Sequence, residues 1–130
     1  MAHATLDAWH DLIRTRDFDA LDGLLAEDAV FYSPVVHTPQ AGKTLVKGYL
    51  LAAFHVFLSP SFRYVRELTG PHDAVLEFQV ELDGIQVNGV DMITWNDAGK
   101  ITAFKVMLRP LKAINLIHQK MGALLQAAKA

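Results

Sequence analysis

The residue in this sequence best suited to chemistry is an aspartate that falls among apolar neighbours. From Ala74 to Leu82 the chain alternates, with Leu76, Phe78, Val80 and Leu82 on one parity and Glu77, Gln79 and Glu81 on the other. Asp83-Gly84 follows, a dipeptide that favours a two-residue hairpin loop. Closing that loop sets Leu82 opposite Ile85, Val80 opposite Val87, Phe78 opposite Gly89 and Leu76 opposite Asp91. Directly opposed residues share a face of the sheet. Asp91 therefore falls on the apolar face, in line with Ile85, Val87 and Ile93. Two placements are open. In one, Asp91 is exposed at a sheet edge or turned outward by a bulge. In the other, it lines a cavity between sheet and helices, where burial disfavours the charged carboxylate and raises its pKa. A cavity with apolar walls and a few polar groups is the form a small-molecule site takes, and Asp91 would be its general acid.

Other polar residues carry two readings each. Trp9 lies on an apolar helical stripe, as a core residue or as an indole N–H donor into a pocket. His37 sits in a proline-bounded loop, as a solvated histidine or as the base that complements Asp91. His55 lies in an apolar helix, as a core histidine or a pocket acid–base group. Ser33 has no adjacent histidine and no nucleophile-elbow context, which argues against a serine hydrolase. His3, His10, His72 and His118 show no paired ligand spacing, so no metal is expected. Gly42-Lys43-Thr44 lacks the first glycine of a phosphate-binding loop.

The elements that must position these residues follow from periodicity and breakers. Leu6, Trp9, Leu12 and Ile13 predict a helix over 5–15 with Thr5 as its N-cap. Phe18, Leu21, Leu24 and Leu25 predict a short second helix capped by Asp17. A strand over 29–32 enters the loop Ser33–Gly42, and a broadly apolar helix spans 44–58 before Ser59-Pro60. Strands are predicted over 62–69, 74–82, 85–96 and 100–109, and a final helix over 111–128. The last strand is apolar on both parities, with Phe104, Val106 and Leu108 on one side and Ile101, Ala103 and Met107 on the other. Helices followed by an antiparallel meander give an α+β domain with helices on one face of a curved sheet.

Composition narrows the functional classes. The chain has 130 residues, which is one domain over 1–130, with residues 111–130 as a C-terminal helical extension. Twelve basic and 14 acidic residues give a net charge of -2, without the electrostatic footprint of a nucleic-acid binder. There is no cysteine, which excludes disulfides, thiol catalysis and zinc–thiolate sites. No apolar run approaches the roughly 20 residues that span a bilayer. Met1 to Asp7 shows no basic stretch followed by an apolar one, so a cytoplasmic protein with no membrane partner is expected.

The order of elements and several segments resemble the nuclear transport factor 2-like superfamily, which includes ketosteroid isomerases, limonene epoxide hydrolases and SnoaL-like polyketide cyclases. The resemblance runs from residue 5 to about 110 and rests on Asp17-Phe18-Asp19-Ala20-Leu21, Asp28-Ala29-Val30-Phe31-Tyr32-Ser33-Pro34, Gly42 opening the third helix, and Val90-Asp91-Met92-Ile93-Thr94-Trp95 through Ile101. Ketosteroid isomerases use a tyrosine and a protonated aspartic acid as an oxyanion hole and a second aspartate as base. Matched by segment, the oxyanion-hole acid falls on Asp91, the tyrosine on Trp9 and the base on Ser33. The resemblance thus implies one role retained, one altered and one lost. The acid that limonene epoxide hydrolases carry on the last strand would fall near Val106, where there is no carboxylate.

The expected architecture is a cone-shaped roll, with N-terminal helices packed on a curved, mainly antiparallel sheet that encloses a pocket. Trp9, Ser33, His37, Phe54, Phe78, Asp91, Val106 and Leu108 are placed near that pocket. The expected ligand is a small hydrophobic molecule with a carbonyl or hydroxyl group, acted on without a cofactor by isomerase, cyclase or hydrolase chemistry. Asp91 and His37 are the catalytic candidates. The alternative is a non-catalytic interaction or scaffold protein with a vestigial pocket. A raised Asp91 pKa favours the first, and a pocket filled by Trp9 and phenylalanines favours the second. The resemblance and the two-sided last strand also imply a homodimer through the sheet face.

Overall fold

The computed structural model describes residues 4–129, with side chains to Gln126. Residues 1–3 and 130 lie outside the described residues, and with them His3 and the start of the N-terminal stretch. Helix α1 (Ala4–Thr15) and a turn of 3-10 helix (Phe18–Ala20) lead into the short α2 (Leu21–Leu24). Then come β1 (Leu25–Tyr32), β2 (Gln40–Ala41), α3 (Lys43–Phe57), β3 (Arg63–Thr69), β4 (Asp73–Leu82), β5 (Ile85–Trp95), β6 (Ile101–Arg109) and α4 (Leu111–Lys129). The strands form one curved sheet in the order β2-β1-β6-β5-β4-β3. All neighbours are antiparallel except β1 and β6, which run parallel. The result is the α+β cone expected from the sequence, with a C-terminal helix.

The hairpin that aligns Asp91 forms in the predicted register. Leu82 pairs with Ile85, Val80 with Val87, Phe78 with Gly89 and Leu76 with Asp91. Asp83 and Gly84 both adopt positive φ, 52° and 77°, the conformation a two-residue I′ loop requires. Burial alternates along β4 and β5 as the pattern dictates: Leu76, Phe78, Val80, Val87, Asp91 and Ile93 are all buried.

Local details depart from the sequence reading. β1 begins at Leu25, not Ala29, because Glu27 and Asp28 sit at an irregularity in its pairing with β6 and interrupt the alternation. Thr5 is not a cap. It lies inside α1, and its hydroxyl donates to the Gly99 carbonyl at 2.8 Å. Asp17 makes no capping hydrogen bond, and the segment it precedes is split between 3-10 and α geometry. Ile101 is fully buried, although its parity matched the outer residues of β6. A register shift opposite Thr94–Trp95 pairs Ile101 with Trp95 and Ala103 with Thr94, so the intervening Thr102 reverses the parity.

The concave face carries the core in two clusters. One joins Leu6, Trp9 and Leu12 of α1 to Val46, Leu50 and Phe54 of α3 and to Leu76, Ile93 and Phe104 of the sheet. The other sets Ala113, Ile117 and Met121 of α4 against Phe78, Val80 and Val87. α4 thus packs on the sheet and α3 and does not project into solvent. No helix among the described residues is long and apolar enough to cross a membrane.

Candidate active site

Three elements bring a hydrogen-bonded chain to the concave face. Trp9 lies on the buried stripe of α1 and is wedged between Phe104 and Phe54, with ring centroids 4.9 and 5.5 Å away. Its indole N–H donates to the Tyr64 hydroxyl on β3 at 3.1 Å. Tyr64 in turn donates to Oδ2 of Asp91 at 2.7 Å. An indole nitrogen can only donate and an ionised carboxylate can only accept, so the tyrosine hydroxyl is the single group that can join them in this order.

Asp91 is 7% exposed and faces a cavity of about 40 Å³. Apart from the Trp9–Tyr64–Asp91 chain, the walls are apolar and largely aromatic, with Phe54, Phe57, Phe62, Phe78, Phe104 and Val106 prominent. Burial pushes the Asp91 carboxyl up from 3.8 to about 7, and the Tyr64 hydrogen bond opposes part of that rise. Burial, the nearby Asp91 charge and the bond to Asp91 hold Tyr64 well above its ordinary value, so it stays a neutral donor. Near neutral pH both forms of Asp91 are populated. The protonated form can donate to a ligand oxygen, and the ionised form can accept a proton.

Gly89, two residues before Asp91, pairs with Phe78 of the cavity wall. A side-chain carbon there would come within 2.6 Å of the Phe78 ring, 2.7 Å of Leu108 and 2.7 Å of the Met107 carbonyl. Only a residue without Cβ leaves room for the Phe78 ring, Leu108 and the β6 backbone to approach β5 this closely.

Of the residues placed near the pocket from sequence, Asp91, Trp9, Phe54, Phe78 and Val106 line this cavity. Trp9 takes a different part from the one the resemblance implied: it donates to Tyr64, not towards a ligand. Leu108 is half-buried and packs against both core clusters without lining the cavity. Ser33 lines a neighbouring cavity of about 160 Å³ under α4, with Val106 between the two. The expected placement of His37 is corrected: it is exposed and lines neither cavity, because Pro34 and two valines carry the loop outward before it. His55 is exposed on α3. Tyr64 was missed. The signal available was the period-two spacing of Phe62 and Tyr64 about Arg63, which puts both aromatic rings on the inner face.

The fold has counterparts among solved structures. The steroid delta-isomerase from Pseudomonas aeruginosa has a structure that matches with a TM-score of 0.91 and 38% identity, over 96% of this chain and 91% of that one. An uncharacterised protein with a cystatin-like fold from Silicibacter pomeroyi matches with a TM-score of 0.85 and 33% identity, over 93% of this chain and 84% of that one. An NTF2-like protein of unknown function from Mesorhizobium loti matches at 0.69 and 21% identity, over 82% and 89%, which shows the shared fold alone. No curated protein matches the sequence. The SnoaL-like domain matches residues 6–104, from the first turn of α1 to the middle of β6, and with that span covered the chain belongs to the SnoaL-like family.

Proposed function

We propose that this protein binds a small, mostly apolar molecule with a carbonyl or hydroxyl oxygen beside Asp91, and that Asp91 transfers a proton to or from it. The observation that carries this reading is a buried carboxyl group, titrating at about 7, on the wall of an apolar cavity and fixed by Tyr64. Such a group is poised between acid and base at working pH. Tyr64 orients it, and Trp9 orients Tyr64. The chemistry would be isomerase, cyclase or hydrolase in type and would use no cofactor. Likeness to a steroid delta-isomerase supports proton transfer next to a carbonyl as the reaction class.

The test is to titrate the protein with small ketones and follow the carbonyl stretch by infrared spectroscopy. A hydrogen bond from protonated Asp91 lowers the stretching frequency. The shift should fade as pH rises through about 7 and be absent in Asp91→Leu, which has no donor. A carbonyl stretch that is unchanged at every pH would overturn the proposal.

One observation favours a second reading, a non-catalytic interaction or scaffold protein. The cavity at Asp91 holds only about 40 Å³, and phenylalanine rings occupy the remaining room. Under this reading Asp91 serves the fold alone, and no ketone binds in an Asp91-dependent manner.

Either reading is compatible with a homodimer through the outer sheet face. Leu68 of β3 and Met107 of β6 are 61% and 51% exposed, and Val90 and Met92 lie between them on the same parity. Apolar side chains spread across three strands are best covered by a second copy. Sedimentation at micromolar concentration that gives only a 14.4 kDa species would contradict the dimer.

A further inference from the structure

The cavity at Asp91 is the smaller of two neighbouring spaces, about 40 Å³ against about 160 Å³. The oxygen-bearing end of a ligand fits beside Asp91, and the larger space next to it can take the rest of a longer molecule. The neighbouring cavity of about 160 Å³ shares three wall residues with it, Ala53, Phe57 and Val106. Those three side chains are the partition between the two spaces. Beyond them the walls are set by Ile117, Met121 and Leu125 of α4 and by the loop from Ser33 to Val36.

The partition has one movable part. Ala53 is fixed within α3 and Val106 within the sheet. Phe57 is the last residue of α3, half-buried, and packs edge-on against Phe78 at 5.5 Å. A change of side-chain rotamer there opens the partition without breaking a backbone hydrogen bond. The far cavity also offers polar groups. Ser33 Oγ accepts from the Val35 N–H at 3.1 Å, which leaves its own hydrogen to donate.

We infer that the ligand is elongated: an aliphatic chain with a carbonyl or hydroxyl group near one end, its oxygen at Asp91 and its chain passing Phe57 into the cavity roofed by α4. This rests on the reading of Asp91 as the ligand-facing acid and adds the substrate class. A rigid fused-ring molecule cannot be threaded past Phe57, whereas a chain can. α4 becomes a wall of the binding site as well as a piece of the core.

The experiment is a titration of the full-length protein with straight-chain 2-alkanones from four to ten carbons, followed by NMR. Affinity should rise about fourfold for each methylene that enters the second cavity. Met121→Trp fills that cavity and should weaken 2-decanone at least tenfold more than 2-butanone. Phe57→Ala removes the partition and should move the same ratio the other way, so the inference stays testable if the tryptophan variant does not fold. Binding of 2-butanone that is lost in Asp91→Leu, with no dependence on chain length, overturns the elongated ligand and leaves the Asp91 reading standing. Chain-length dependence unchanged in Asp91→Leu overturns the Asp91 reading, and the placement of the oxygen with it. No binding of any alkanone at millimolar concentration overturns both.

Discussion

Tyr64 donates its hydroxyl hydrogen to Oδ2 of Asp91 across 2.7 Å, between strands β3 and β5 that are not neighbours in the sheet. β4 lies between them, so the bond spans the hollow of the cone above Leu76 and Phe78. Both partners are restrained by this. The aspartate has a fixed donor, and the tyrosine is held neutral first by burial and then by the charge it faces. A third group, Trp9 on α1, locks the tyrosine from the helical side.

Tyr64→Phe tests the coupling. The variant keeps the burial of Asp91 and removes the hydrogen bond that opposes it, so the Asp91 pKa should move above its wild-type value of about 7. The Trp9 N–H loses its acceptor as well, and an unsatisfied buried donor costs about 1–3 kcal/mol. Carboxyl carbon NMR should show the upward shift, and denaturant unfolding should show the loss. A downward shift would mean that Tyr64 does not stabilise the charged form.

Asp91→Asn tests the cost of the charge. Asp91 has a folded pKa of about 7 against 3.8 for the free group. An acid raised in this way keeps its proton when folded and loses it when unfolded, over the window between those values. Stability therefore falls as pH rises from about 4 to about 7, and the full deficit stands above that. The gap corresponds to about 4 kcal/mol as an upper bound. Asparagine carries no such term. The variant should unfold with a nearly flat pH dependence over this window, and its advantage over wild type should be larger at pH 8 than at pH 5. Parallel pH profiles for the two proteins would overturn the assignment of a raised pKa to Asp91.

Much of this site was legible because its register is local. Asp83-Gly84 fixes the pairing of β4 with β5, and parity then puts Asp91 inside with no further information. The Tyr64 contact was not legible in the same way. It depends on a bulge between Tyr64 and Arg66 and on the curvature that brings β3 over β5. Ile101 was misassigned for the same reason, because one extra residue in a strand reverses parity and leaves no mark in composition. The exposure of His37 is a property of a loop path, which hydrophobic periodicity does not encode.

Gly89→Ala tests the packing under the site. The added carbon meets the Phe78 ring, Leu108 and the Met107 carbonyl at 2.6–2.7 Å, and backbone cannot yield as a flexible side chain would. Overpacking of this kind costs about 1–3 kcal/mol. The variant should lose stability by that order in urea unfolding and shift the ring resonances of Phe78. A variant as stable as wild type would show that β6 is free to move away from β5.

The last prediction concerns the steroid reaction suggested by the similarity to a steroid delta-isomerase. Moving a proton between ring carbons calls for a base over the ring in addition to a group that stabilises the oxyanion, and positioned general-base catalysis is worth about 10²–10⁴-fold. The residues that line the cavity with Asp91 include no second carboxylate, histidine or lysine. Ser33, where the resemblance puts the base, faces the adjoining cavity behind Phe57 and Val106. The wild type should therefore show no appreciable turnover of a Δ5-3-ketosteroid, followed by absorbance of the conjugated product. Ser33→Asp alone should not restore it, because the partition keeps the new carboxylate away from Asp91. Ser33→Asp combined with Phe57→Ala joins the two spaces and is the variant in which activity should first appear. Robust wild-type turnover would show that Asp91 alone carries the proton both ways. Activity in Ser33→Asp with Phe57 intact would show that the phenylalanine does not bar the passage.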